Sequence, residues 1–91
     1  MTYSMYKQDR SVGDSGGMST AIWVDDNDVT QYEIDARPRV GVHMRVGSVF
    51  ARTMQYQDWW QTNEITEILE DTENYVKFKT LSGSIYEWKI I

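Results

Sequence analysis

The single histidine, His43, is the first residue to examine for chemistry. An imidazole acts as a base or a metal ligand only beside a nucleophile or further ligands. The chain has no cysteine, no G-x-S-x-G elbow and no other nucleophile motif. His43 therefore reads as a structural histidine on the polar face of a strand, and no enzyme is expected. The run Asp25-Asp26-Asn27-Asp28 invites a calcium reading. An EF-hand loop begun at Asp26 puts Asp28 and Thr30 at ligand positions three and five, but then sets Gln31 where glycine is needed and Arg37 where the bidentate glutamate belongs. A solvated turn is the better account. Phosphate-cradling glycine motifs are missing, and Gly13, Gly16 and Gly17 follow no strand pattern. Neither a metal nor a cofactor is expected.

Charge is distributed in blocks. Residues 21–36 hold Asp25, Asp26, Asp28, Glu33 and Asp35 and no base, for −5. Residues 37–57 hold Arg37, Arg39, Arg45 and Arg52 and no acid, for +4. Residues 58–74 carry Asp58, Glu64, Glu67, Glu70, Asp71 and Glu73, for −6, and the remainder leaves the chain at −5. Two accounts compete. Neighbouring antiparallel strands of opposite sign would pair their outer faces, each pair contributing well under about 1 kcal/mol. Alternatively, the acidic blocks steer a basic partner or imitate nucleic-acid phosphates.

Trp59-Trp60 is the second feature. Adjacent residues on a strand face opposite sides, so both rings cannot enter one core. An exposed indole suits a protein-binding hot spot, with Glu67, Glu70, Asp71, Glu73, Asp25, Asp26 and Asp28 as acidic neighbours. It also suits base stacking, for which Arg39, His43, Arg45 and Arg52 would line a groove for single strands or another anionic ligand. The acidity of the chain, with a pI near 4.6, counts against nucleic acid. A third account has both rings covering the ends of a small barrel.

The elements that must position these residues are mostly strands. Ala21-Ile22-Trp23-Val24, the Asx-rich break and Val29 to Ile34 signal a hairpin. Arg37-Pro38 ends it, because proline cannot donate to a ladder. From Arg39 to Val46, Val40, Val42, Met44 and Val46 point one way and Arg39, His43 and Arg45 the other. Gly47-Ser48 permits a bend before Val49 to Arg52. Glu64 to Leu69 reads as a strand with a bulge, although Ile65, Ile68 and Leu69 also have helical spacing, so that 62–70 admits a short helix. Tyr75 to Leu81 and Ile85 to Ile91 form a hairpin about Ser82-Gly83-Ser84, with Val76 and Phe78 in the core. The first twenty residues show no sustained period and carry a glycine-rich cluster, so residues 1–20 read as a disordered tail and 21–91 as a single β-barrel-like domain.

The class expected is mainly β: a small antiparallel barrel or bent sheet of five or six strands. The stretch from Val46 to Trp88 resembles the meander of SH3-like and Tudor-like barrels. The likeness rests on Val46-Gly47-Ser48-Val49-Phe50, the loop ending in Trp59-Trp60, Glu64 to Leu69, the acidic turn Glu70 to Asn74 and the Ser82-Gly83-Ser84 hairpin. Such barrels bind peptides, proteins or nucleic acids, so the resemblance implies a fold more than a function. No apolar run approaches the roughly 20 residues of a membrane span, the first residues have no signal-peptide core, and cysteine is absent; a cytoplasmic protein is expected. The functional expectation is a non-enzymatic module binding another protein with a basic surface. Its size and charge suit a phage or mobile-element inhibitor of a host nucleic-acid machine. The alternative is a single-stranded nucleic-acid or anionic-ligand module.

Overall fold

A computed structural model describes residues 2–47 and 59–91, with Trp59 through its backbone alone. Within them lie eight antiparallel strands and no helix: β1 Tyr3–Lys7, β2 Gly13–Val24, β3 Thr30–Ile34, β4 His43–Gly47, β5 Trp59–Gln61, β6 Ile65–Thr72, β7 Tyr75–Thr80 and β8 Ile85–Ile90. They run in the order β5-β4-β2-β1-β8-β7-β6, with β3 attached to β2. The mainly-β expectation holds, with more strands than the five or six expected. The helix alternative for 62–70 is overturned: β6 pairs with β7 through two register shifts, Ile65/Glu67 and Ile68/Glu70. Those shifts mimic helical spacing, because a bulge adds a residue and flips the phase of alternation.

The sheet curls until its ends meet. Ile65 donates its N–H to the Val42 carbonyl at 2.9 Å and accepts from the Gly41 N–H at 3.0 Å, while Thr62 donates to the Met44 carbonyl. The start of β6 is thereby tied to the entrance of β4, and the result is a small barrel. Its interior holds Met5, Ala21, Met44, Val46, Ile65, Val76, Phe78 and Trp88, all fully buried. Val76 pairs with Trp88 and Phe78 with Tyr86, so these four share the inward face of the last hairpin. No helix in the described residues is long and apolar enough to cross a membrane.

The first twenty residues are not a tail. β1 lies between β2 and β8, with Met5 opposite both Asp14 and Trp88. Tyr3 and Met5 point inward in a short period-2 pattern, Tyr3 stacking on Trp88 with ring centroids 5.3 Å apart. The glycine-rich stretch is part of β2 and has a packing role. A Cβ on Gly17 would overlap the backbone of Gly47, so glycine lets β2 and β4 approach closely where the sheet bends. Thereafter Ser19, Thr20, Ala21 and Ile22 are all buried.

One alternation fails early. Val42, Met44 and Val46 are buried as expected, but Val40 is exposed. Gly41 intervenes at φ +96°, a conformation costly for other residues, and the strand begins only at His43. Residues 48–58, including the strand expected over Val49 to Arg52, lie outside the described residues.

Two polar links fasten the barrel. Trp88 donates Nε1–H to Ser19 Oγ at 2.9 Å, and Ser19 passes its own hydroxyl hydrogen to the Ala36 carbonyl at 2.9 Å. This buried relay joins β8, β2 and the crossing after β3, satisfying groups that would otherwise destabilise the core by about 1–3 kcal/mol each. Outside it, the Arg37 guanidinium lies over the Trp88 ring at 5.3 Å.

Candidate functional site

The acidic run at 25–28 forms the β2–β3 turn, and its chemistry is internal at one residue only. Asp25 Oδ1 accepts from the Asn27 N–H at 2.9 Å and the Val29 N–H at 3.0 Å, while Oδ2 accepts from Gln31 Nε2 at 2.9 Å. These donors, with Val29 foremost, hold its carboxyl below the usual range. Asp28 closes the turn by donating its N–H to the Asp25 carbonyl, at the φ of +60° that Asp tolerates. Asp26 and Asp28 are exposed, and their side chains enter no hydrogen bond or ion pair among the described residues. No group of three or more potential metal ligands occurs among the described residues.

The second acidic region, along β6 and the β6–β7 turn, is compensated. Glu67 stands opposite Lys79, Glu70 opposite Lys77, and Lys77 is followed across the sheet by Glu87. Arg37 clasps the end of the hairpin, giving Nη2 to Asp71 Oδ1 and the Thr72 carbonyl and Nη1 to the Glu73 carbonyl at 2.8 Å. Asp71 is thus occupied by a structural ion pair, whereas the carboxylates of Glu67, Glu70 and Glu73 remain at the surface. Here opposite charges stand across from one another on adjacent strands, and the one ion pair among the described residues is made by Arg37.

The basic stripe is likewise engaged. Arg39 pairs with Glu33 Oε2 at 2.9 Å and lies over the Trp23 ring at 4.8 Å. Arg45 gives Nε and Nη2 to Gln61 Oε1 at 3.1 and 2.8 Å. His43 donates Nδ1–H to the Thr62 carbonyl at 3.0 Å. His43 and Arg45 do share the outer face of β4, beside Ile22 and Thr20 respectively, whereas Arg39 sits apart with Trp23. Arg52 lies outside the described residues. Trp60 is half-buried against the core and donates Nε1–H to the Tyr86 hydroxyl at 3.1 Å, which makes it part of the barrel wall. The side chain of Trp59 lies outside the described atoms.

The structure reveals a feature that alternation concealed. On β3, Tyr32 and Ile34 are 61% and 60% exposed, and Val24 on β2 is 62% exposed. Val24 pairs with Thr30, Ile22 with Tyr32 and Thr20 with Ile34, so all six side chains share one face. Ala21 and Trp23, on the other face, pack against the core. The sequence signal was present in Thr30, Tyr32 and Ile34 sharing a face; what it lacked was which face looks inward.

A shallow depression between Lys7–Asp9 and Ser82–Ile85 holds one carboxylate, Asp9. Ser11 donates to it through Oγ at 2.6 Å and through N–H at 2.9 Å, which keeps it below the usual carboxylate range. At the other extreme, burial and then a hydrogen bond to Asp35 raise the Tyr3 hydroxyl, and burial with Glu87 raises that of Tyr75. Comparison with protein-family models, curated proteins and solved structures finds no match to this chain.

Proposed function

We propose that this chain is a non-enzymatic protein-binding module whose partner presents a basic surface. One observation carries the reading: the acids at the tip of the β2–β3 hairpin have no base across the ladder, while every described member of the basic stripe already has a partner within the fold. An uncompensated acidic end attracts cations and accelerates encounter with a basic protein. Occupied arginines would first have to give up internal contacts to bind phosphate. Small barrels of the SH3-like or Tudor-like type carry binding surfaces of this kind on their loops and edges. Nucleic-acid-handling proteins expose such basic surfaces, so the arrangement suits a phage or mobile-element inhibitor acting on a host machine in the cytoplasm.

The test uses two probes, a lysine-rich peptide and a single-stranded oligonucleotide, at about 50 mM salt, where phosphate contacts are strong. The peptide is expected to bind and the oligonucleotide to give no gel shift at tens of micromolar protein. Asp26→Asn with Asp28→Asn should slow association with the peptide, most at low salt. Arg39→Gln and Arg45→Gln should change it little. An oligonucleotide shift abolished by those two arginine changes would overturn the proposal.

A further inference from the structure

We propose that β3 receives an extended segment of the partner as one further strand, and that this segment alternates apolar and basic residues. The proposal rests on the reading of the chain as a binder of basic protein and assigns the surface that does it. Asp35 donates its N–H to the Ser19 carbonyl, and Asp25 donates to the Val29 carbonyl. Both belong to the register that pairs Thr20 with Ile34 and Val24 with Thr30. In an antiparallel ladder, residues alternate between bonding the neighbour and facing away from it. Val29, Gln31, Glu33 and Asp35 therefore bond β2, and Thr30, Tyr32 and Ile34 direct their N–H and C=O groups off the sheet. Among the described strands, β3 pairs with β2 alone.

Natural proteins blunt such an edge with lysine, proline or a bulge. The outer strand β6 carries two register shifts. β3 is short and carries one charge, Glu33, but it has no lysine or proline and pairs with β2 without a shift. The residues whose backbone faces outward are those whose side chains, Tyr32 and Ile34, are also exposed. An added strand would complete a ladder and cover an apolar row in one step, which is the economy of β-augmentation.

Charge selects the occupant. Exposed Asp26 and Asp28 stand at one end of β3 and exposed Asp35 at the other, while Glu33 between them is already paired with Arg39. A second copy would set −5 against −5 and bring these acids together. A segment with lysine or arginine flanking apolar residues reverses that sign.

The experiment follows amide exchange by NMR, using a short peptide of alternating lysine and valine at low salt. In the free chain, the N–H groups of Thr30, Tyr32 and Ile34 should exchange freely, while those of Gln31 and Glu33 are protected. Saturating peptide should protect the first three. N-methylation of the valines, whose amides face β3 when their side chains lie beside Tyr32, should abolish binding. Ile34→Lys, at an exposed site, should weaken binding about tenfold with an unchanged thermal midpoint. Binding that leaves the three amides unprotected would overturn the edge while sparing the basic-partner reading. No binding at all would count against both. Protection that grows with protein concentration in the absence of peptide would replace the partner by a second copy.

Discussion

In the β7–β8 hairpin, Val76, Phe78, Tyr86 and Trp88 point into the core; in the β2–β3 hairpin, Val24, Tyr32 and Ile34 point away from it. Both are antiparallel pairs with apolar residues on one face, and their sequence patterns are alike. They differ in their neighbours. β8 is flanked by β1 and β7 in the middle of the curled sheet, and its Tyr86 and Trp88 line the interior. β3 has β2 on one side, and it follows the outer course of a strand whose inward face is already filled by Ala21 and Trp23. Apolar alternation marks one face in both hairpins, but the barrel covers that face in one case and leaves Val24, Tyr32 and Ile34 exposed in the other.

Three changes would break or sharpen that contrast. The largest effect should follow removal of residues 1–7, which deletes the strand between β2 and β8 along with Tyr3 and Met5. Burying such side chains contributes about 2–5 kcal/mol each, against a total of about 5–15 for a domain. A cooperative thermal transition is expected to vanish; a midpoint near that of the full chain would show that β1 is dispensable. Next comes a matched pair. Trp88→Ala should cost about 3–5 kcal/mol by urea unfolding, because it opens a cavity and breaks the relay through Ser19. Tyr32→Ala, at a side chain that is itself mostly exposed, should stay within about 0.5 kcal/mol. Equal losses would mean that β3 is packed after all.

The smallest effect concerns Asp25. Its folded-state pKa is depressed, so the stability it contributes is present above the unfolded value of about 3.9 and is lost as pH falls through the folded value. Asp25→Asn should therefore lower the thermal midpoint slightly at neutral pH, and the gap should close in acid. A gap independent of pH would indicate that the carboxylate charge is irrelevant to the turn.

Local pattern was a good guide wherever it agreed with the tertiary neighbours. Val76 and Phe78 are buried, Gly83 serves the β7–β8 turn at φ +86°, and Glu64 to Leu69 contributes to a bulged strand. It misled at Gly13 to Gly17, because glycine for flexibility and glycine for close backbone approach look the same until Gly47 is brought alongside. It also hid β1, whose alternation over five residues gains force only from partners at residues 13–17 and 86–90. The charge blocks themselves were visible, and so were both accounts of them. Which account applies to which block was not: Arg37 finds Asp71, and Arg45 finds Gln61, through folding alone. The β6 acids turn out to follow the pairing account. Glu33 does too, through Arg39, whereas Asp26 and Asp28 at the β2–β3 turn do not.

The place of β8 beside β1 sets a clock on folding. Met5 pairs with Trp88, so the strand that β1 needs on its second side is among the last of these residues to be synthesised. Until then β1 can lean only on β2, and the Ser19 hydroxyl waits without its indole donor. Contacts this distant in sequence must overcome loop-closure entropy before they return any stability, which slows folding. On the ribosome, the emerging chain would expose the apolar row of Val24, Tyr32 and Ile34 together with the unfinished inner face. The acidic residues beside that row act as charged gatekeepers during the interval in which the chain is most prone to aggregate.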